Sequence, residues 1–149
     1  MTVNIRAAVV LAILTAAVPA AAETVTCPPL ATAQQVGSCP NEEELKIGFT
    51  GYCSDNQRMY DREDTCIAFE KYKALKDVAL WETQDGAFQG YLPCGGDQSA
   101  LKALMPEKAA VSKLGSITKL TCIYPGDITL SRRGKGACTI TEKTTANCE

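Results

Sequence analysis

Cysteine is the residue type in this chain with the widest range of chemistry open to it. Thiols can pair as disulfides, bind a metal or act as redox nucleophiles, and their spacing separates these uses. Zinc sites favour cysteines about two to four residues apart, and thiol–disulfide enzymes use CxxC. Here even the closest two, Cys138 and Cys148, have nine residues between them. An even set of widely spaced cysteines behind an export signal therefore predicts four disulfides, formed among Cys27, Cys39, Cys53, Cys66, Cys94, Cys122, Cys138 and Cys148.

The spacing leaves the disulfide pairing open, because eight cysteines permit about a hundred combinations. Pairs that are close in sequence or that face each other across one hairpin are preferred here, such as Cys122 with Cys138. A bridge that closes a loop of ten to thirty residues adds on the order of 3 kcal/mol of stability by restricting the unfolded chain.

The chain contains no histidine, which excludes Ser-His-Asp and Cys-His catalysis and removes the commonest zinc ligand. Carboxylates remain as acid–base groups, and a pair of them would suit glycan hydrolysis. Glu82 and Asp85 flank a turn beside Trp81 and Phe88, although a buried aromatic pair and an Asp-Gly turn explain this more simply. A hydrolase would need two carboxylates in one cleft, one with a raised pKa. The candidates are Glu63, Asp64, Glu82 and Asp85.

Binding residues must come from a small aromatic set. Trp81, Tyr91 and Tyr124 are the candidate anchors, and most of them are expected in the core. Arg132 and Arg133 form a basic cluster that could contact a carboxylate, or that could be solvated charges on an edge strand. No cofactor or metal is predicted, because the acidic residues do not follow the spacing of a calcium loop.

The first 22 residues have the order of a secretory signal peptide. Arg6 precedes an apolar run of about twelve residues that ends at Val18, and small residues continue to Ala22. The run is shorter than the roughly twenty residues that cross a bilayer. We predict cleavage after Ala22, no membrane span, and one exported domain of residues 23–149 that is periplasmic or secreted.

The formal net charge of the chain is −2 at pH 7, and it becomes more negative when Arg6 leaves with the signal peptide. This balance disfavours nucleic acid or an anionic membrane as the main partner, because both reward concentrated positive charge.

One or two helices and two hairpins must position these residues. The best helical pattern begins near Asp61 to Asp64 and runs to about Lys76. Its apolar stripe consists of Ile67, Phe69, Tyr72 and Leu75. Asn41 has the residue type of a helix cap before three glutamates, and glycines soon after limit that helix to a short one.

Turn residues between apolar runs predict the hairpins. Residues 78–83 and 88–92 flank Asp85-Gly86, and Pro125-Gly126-Asp127 follows an alternating run from 120 to 124. Ser99–Met105 predicts a second helical piece, and 107–113 a turn after Pro106. The fold class is α+β, a small disulfide-stapled single domain with antiparallel hairpins and one or two helices.

Three functions fit this sequence. The leading hypothesis is a non-enzymatic exported protein that binds a protein or envelope component, because a stapled scaffold is present and the residues of common catalysis are absent. The alternatives are a carboxylate-dependent glycan hydrolase and a structural or effector-like secreted protein.

Overall fold

The computed structural model describes residues 22–61 and 63–149. It is an α+β fold with two antiparallel sheets and four α-helices, as the sequence predicted. Residues 1–21 of the predicted signal peptide lie outside the described residues, so cleavage after Ala22 stays a prediction. Among the described residues, no helix has the length and apolar character needed to cross a membrane.

Nine strands form the two sheets. They are β1 (Glu23–Thr26), β2 (Ala33–Gln35), β3 (Val78–Thr83), β4 (Gln89–Pro93), β5 (Lys108–Leu114), β6 (Ile117–Ile123), β7 (Thr129–Gly134), β8 (Cys138–Glu142) and β9 (Thr145–Cys148). The smaller sheet has the order β1-β9-β8, and the larger one has the order β2-β3-β4-β7-β6-β5. Strand β1 thus pairs with the last strand, and β4 pairs with β7 across the intervening β5–β6 hairpin.

The helices are α1 (Glu42–Cys53), α2 (Asn56–Tyr60), α3 (Phe69–Lys76) and α4 (Gln98–Lys102). The first three lie between β2 and β3, and we call residues 42–76 the helical lobe. Asn41 caps α1 as predicted: its side chain accepts a hydrogen bond from the Glu44 amide at 2.9 Å, and Glu44 accepts one from the Asn41 amide at 2.8 Å.

Both predicted hairpins are present. Strands β3 and β4 pair around Asp85-Gly86, and β6 and β7 pair around Pro125-Gly126-Asp127. Gly86 and Gly126 have φ angles of 68° and 75°, a left-handed conformation that glycine adopts at little cost. The turn chemistry therefore determined both hairpins.

Three local predictions are wrong. The helix predicted over Asp61–Lys76 is shorter, because α2 ends at Tyr60 and α3 begins only at Phe69. In its predicted apolar stripe Tyr72 is buried, whereas Ile67 and Leu75 are 69% and 51% exposed. Aromatic packing between α1 and α3 decides which residues are buried: Phe49 lies 5.8 Å from Phe69 and 5.6 Å from Tyr72 between ring centres.

Helix α1 is longer than predicted, running through both of its glycines to Cys53. A Cβ at Gly48 would collide with the Tyr72 hydroxyl, so glycine here permits close packing of α1 on α3. The turn predicted over 107–113 is instead strand β5, which pairs with β6 from Lys108 to Leu114. Cross-strand pairing outweighs the weak strand preference of its alanines and lysines.

The core lies between the two sheets. Val25 and Ala146 face it from the smaller sheet, and Leu92, Leu120 and Leu130 face it from the larger one. These three leucines are at most 1% exposed. Alternation along each strand sends the next side chain to the opposite face, so the larger sheet also has an outer face, which the smaller sheet does not cover.

The eight cysteines form four disulfides, and none of those described is free. The pairs are Cys27–Cys122, Cys39–Cys94, Cys53–Cys66 and Cys138–Cys148. The preferred example, Cys122 with Cys138, is wrong. Cys122 is completely buried and faces the core, where the end of β1 brings Cys27 to a Cα distance of 5.5 Å. Topology thus outweighs nearness in sequence for Cys27–Cys122 and Cys39–Cys94. The preference for near pairs is confirmed for the other two bridges, Cys53–Cys66 and Cys138–Cys148, whose sequence separations are 13 and 10.

Candidate functional site

The carboxylates that a hydrolase would need are distributed over different parts of the fold. Glu63 belongs to the helical lobe, where it accepts a hydrogen bond from the Tyr52 hydroxyl at 2.7 Å and lies 3.4 Å from the Arg58 guanidinium. This hydrogen bond to Glu63 is the main cause that raises the pKa of Tyr52. Asp64 is exposed in a short turn after Glu63. The contacts of Glu63 with Tyr52 and Arg58 lie within the lobe and stabilise it.

Asp85 is a turn residue of the β3–β4 hairpin. It accepts hydrogen bonds from the Thr83 hydroxyl at 2.6 Å and the Ala87 amide at 3.0 Å, which hold its pKa below the usual value. A general acid would need a raised pKa. Glu82 precedes Thr83, whose side chain is buried, and therefore lies on the opposite face. In the described part of the chain, the cavity beside Glu63 and the one beside Asp85 are separate, so the requirement for a shared cleft is not met.

Three of the five candidate binding residues, Trp81, Tyr124 and Arg132, are buried in the core or paired within the fold. Trp81 is 4% exposed and Tyr124 is 1% exposed. The Tyr124 hydroxyl donates a hydrogen bond to the Pro28 carbonyl, and burial raises the pKa of Tyr124 to about 12. Arg132 donates two hydrogen bonds to Glu23, at 3.1 and 2.6 Å, and these lower the pKa of Glu23.

The other two candidates, Tyr91 and Arg133, line one cavity on the outer face of the larger sheet. The cavity has a volume of about 320 Å³. It is lined by Leu80, Gln89, Gly90, Tyr91, Lys119, Thr129, Ser131 and Arg133. We call this set the outer-face cavity. Tyr91 is 69% exposed, so a large aromatic surface is open to solvent beside the cavity.

The cavity lies where β4 meets β7. These two strands share a single residue pair, Gln89 with Ser131, whereas β6 and β7 pair over six residues. Gly90 permits the contact, because a Cβ there would collide with the Thr129 carbonyl oxygen. Because β4 and β7 approach closely but pair at only one position, an open depression remains between them. Side chains of β3, β4, β6 and β7 surround it.

The electrostatics of this face are unbalanced. Lys119 on β6 lies directly opposite Arg133 on β7, and like charges in that position destabilise a sheet. Neither cation has a salt-bridge partner within residues 22–61 and 63–149. The neighbouring Arg132, on the inner face, is already neutralised by Glu23. Two uncompensated cations beside an exposed tyrosine therefore form a site suited to a negatively charged ligand.

Sequence reasoning missed Lys119 and the polar residues around it. The alternation along β6 could have indicated Lys119. Because Leu120, Cys122 and Tyr124 face the core, the residues between them lie on the other face of the strand. Those residues are Lys119, Thr121 and Ile123. The sequence pattern did not show which strand pairs with β4. No residues near β4 in sequence indicate that its neighbour is β7 rather than β5.

Within residues 22–61 and 63–149, no group of three or more histidine, cysteine or acidic residues is placed to hold a metal ion. The four disulfides indicate a protein of an oxidising, extracellular-type environment. No protein-family model matches the chain, and comparison with curated proteins and with solved structures found no match.

Proposed function

We propose that this chain is a non-enzymatic exported binding domain, periplasmic or secreted, that holds an acidic segment of a protein partner in the outer-face cavity. The predicted signal peptide and the four disulfides support export to an oxidising compartment. The observation that carries the proposal is the uncompensated pair Lys119 and Arg133 beside the exposed Tyr91.

Each part of the cavity has a role in this binding. Tyrosine and arginine are, with tryptophan, the residues enriched among binding hot spots. They combine a large contact area with a polar group. The Tyr91 ring would cover the apolar part of the partner segment, and Lys119 and Arg133 would pair with its carboxylates. Bound acids would also relieve the repulsion between the two opposed cations.

The scaffold reduces the cost of binding. The cavity residues lie on strands or strand ends of one sheet, and Cys39–Cys94 ties the segment after β2 to the segment after β4. A site on rigid strands loses less conformational freedom on association than a site on a loop. The disulfides thus stabilise the binding surface as well as the fold.

Site-specific photo-crosslinking tests the position of the site. A photoreactive phenylalanine analogue replaces Tyr91 in one protein and Tyr60 in a matched control, since Tyr60 is 84% exposed but belongs to the helical lobe. We expect one defined crosslinked product in envelope extract from position 91 and none from position 60. Equal yields from the two positions, or none from position 91, would contradict the proposal.

Charge reversal tests the chemistry. Arg133→Glu should weaken binding to the partner identified by crosslinking at least tenfold, and added salt should weaken binding of the parent protein, because the attraction is partly screened. Lys71→Glu, on an exposed position of α3, makes the same change of net charge away from the cavity and should have little effect. Equal losses in the two variants would indicate a response to net charge alone.

A further inference from the structure

The tip of the β5–β6 hairpin is apolar and exposed. Residues 112–117 are all exposed, so the end of the hairpin stands clear of the body of the protein. Leu114 and Ile117 face each other across the two-residue turn, and they are 86% and 46% exposed. Gly115 has a φ of 59°, which permits this tight turn. The two aliphatic side chains contact each other across the strands, but they leave much apolar surface in water.

Positive charge surrounds this tip. Lys113 precedes Leu114, Lys119 follows Ile117 by two residues, Arg133 pairs with Lys119, and Lys135 follows the end of β7. We call these four cations the basic collar. None of them has a salt-bridge partner within the described ranges.

Acidic groups also lie near this end of the sheets. Glu23 is engaged by Arg132, and Glu149 lies beside Gly136. The four collar cations therefore outnumber the acids close to them. The negative net charge of the chain is an average over all residues, and the fold concentrates positive charge around this hairpin.

We propose that the hairpin tip inserts Leu114 and Ile117 into the surface of an anionic lipid bilayer while the basic collar contacts the headgroups. The length of the tip matches the depth of insertion. Strands rise about 3.3 Å per residue, and interfacial segments bury their apolar groups about 5 to 10 Å deep. Lys113 and Lys119 lie one and two residues behind the apolar pair, at headgroup depth when the pair is inserted.

The shape of the tip favours a bilayer over a folded protein as the occupant. A convex apolar point needs a matching pocket on a protein, whereas a fluid bilayer accepts it without one. Cations flanking both strands of the tip also match a surface that is negative in all directions. Docking would hold the binding domain at an envelope membrane, which goes beyond the proposed partner binding. Lys119 and Arg133 belong to both surfaces, so headgroups and an acidic partner segment would compete for them. Leu114, Ile117, Lys113 and Lys135 lie outside the outer-face cavity.

Vesicle co-sedimentation tests this inference on the purified chain 23–149. The probes are vesicles of phosphatidylcholine alone and of equal parts phosphatidylcholine and phosphatidylglycerol. We expect binding to the mixed vesicles, at least tenfold weaker binding to the neutral ones, and release by high salt. Equal binding to both vesicle types, or no binding to the mixed ones, would overturn the inference.

Variants assign the contact to the tip. Leu114→Ser combined with Ile117→Ser should weaken binding to the mixed vesicles at least tenfold, whereas Leu75→Ser, on the exposed surface of α3, should leave it unchanged. Lys113→Gln with Lys135→Gln should weaken binding without touching the outer-face cavity. Unchanged vesicle binding in the tip variant would overturn membrane insertion. So would self-association of the parent protein in the absence of vesicles, if the tip variant abolishes that self-association.

A fluorescent variant gives a direct readout of insertion. The single tryptophan, Trp81, is buried in the core, so a tryptophan introduced as Leu114→Trp supplies the exposed emission. We expect that emission to shift to shorter wavelength with the mixed vesicles and to stay in place with the neutral ones. An unshifted spectrum with bound protein would show that the tip stays in water and would refute insertion.

Discussion

The Cys27–Cys122 disulfide should contribute more to stability than any short-range bridge in the chain. It joins the end of β1 to the middle of β6 through a sequence separation of 95 residues. We consider replacement of both residues, Cys27→Ala with Cys122→Ala. By the chain-entropy relation, a closed loop of that length is worth about 4.7 kcal/mol.

The neighbouring bridge reduces this value. Because Cys39–Cys94 lies inside the same loop, the shortest covalent path between Cys27 and Cys122 has about 40 residues, which lowers the loop contribution to about 4 kcal/mol. Both cysteines are buried, at 4% and 0% exposure, so the two lost sulfur atoms leave small cavities that cost on the order of 1 kcal/mol more. The expected loss is therefore about 5 kcal/mol.

The matched control is Cys138→Ala with Cys148→Ala. That bridge spans a separation of only 10 residues within the smaller sheet, and the same relation gives about 3 kcal/mol. Urea unfolding without reductant, followed by the fluorescence of the buried Trp81, measures both losses. The dependence of unfolding on urea should also steepen more in the Cys27–Cys122 variant, because its unfolded state expands more.

The ranking of the two variants decides the matter. If removal of Cys138–Cys148 costs as much as removal of Cys27–Cys122, the loop argument is refuted, and local strain or packing around each bridge governs the stability instead.

Three further outcomes are expected. Intact mass of the exported protein should show a chain that begins at Glu23, no thiol open to alkylation before reduction, and four reducible bridges; free thiols would contradict the oxidised scaffold. Gly90→Ala should lower the free energy of unfolding by on the order of 2 kcal/mol, because the added Cβ would meet the Thr129 carbonyl. Gly95→Ala is the control: Gly95 has open space around it, so the free energy of unfolding should change little in the same urea assay. The free energy of unfolding should fall as pH rises from 10 to 12. The pKa of Tyr124 is raised from 10.0 to about 12 in the folded state, so the folded state keeps this proton after the unfolded state has lost it. Tyr124→Phe should reduce the fall, and an identical pH profile in that variant would contradict the assignment.

Much of the local structure was available from the sequence. Asp85-Gly86 and Pro125-Gly126-Asp127 specify turns through the conformations of their own backbones, and alternation from 117 to 123 separates a core face from an outer face. The helical lobe was harder to predict, because the burial of Tyr72 depends on α1. This helix packs against α3 but lies outside the stretch in which the apolar stripe was sought.

The candidate site was predicted only in part. Tyr91 and Arg133 were among the candidate binding residues, but so were Trp81 and Tyr124, which the structure places in the core. Residue type alone does not distinguish an aromatic anchor from a core aromatic, because both positions favour a large apolar ring. The face of the strand on which each ring lies makes that distinction.

The sequence by itself determined the α+β class, the number of disulfides, the two hairpins and the absence of histidine chemistry. Each of these follows from composition or from residues a few positions apart. Only the tertiary structure decided which cysteines pair, that β4 meets β7 at Gly90, and that Lys119 stands opposite Arg133. These features depend on strand order, and strand order results from burying one shared core with residues drawn from the whole length of the chain.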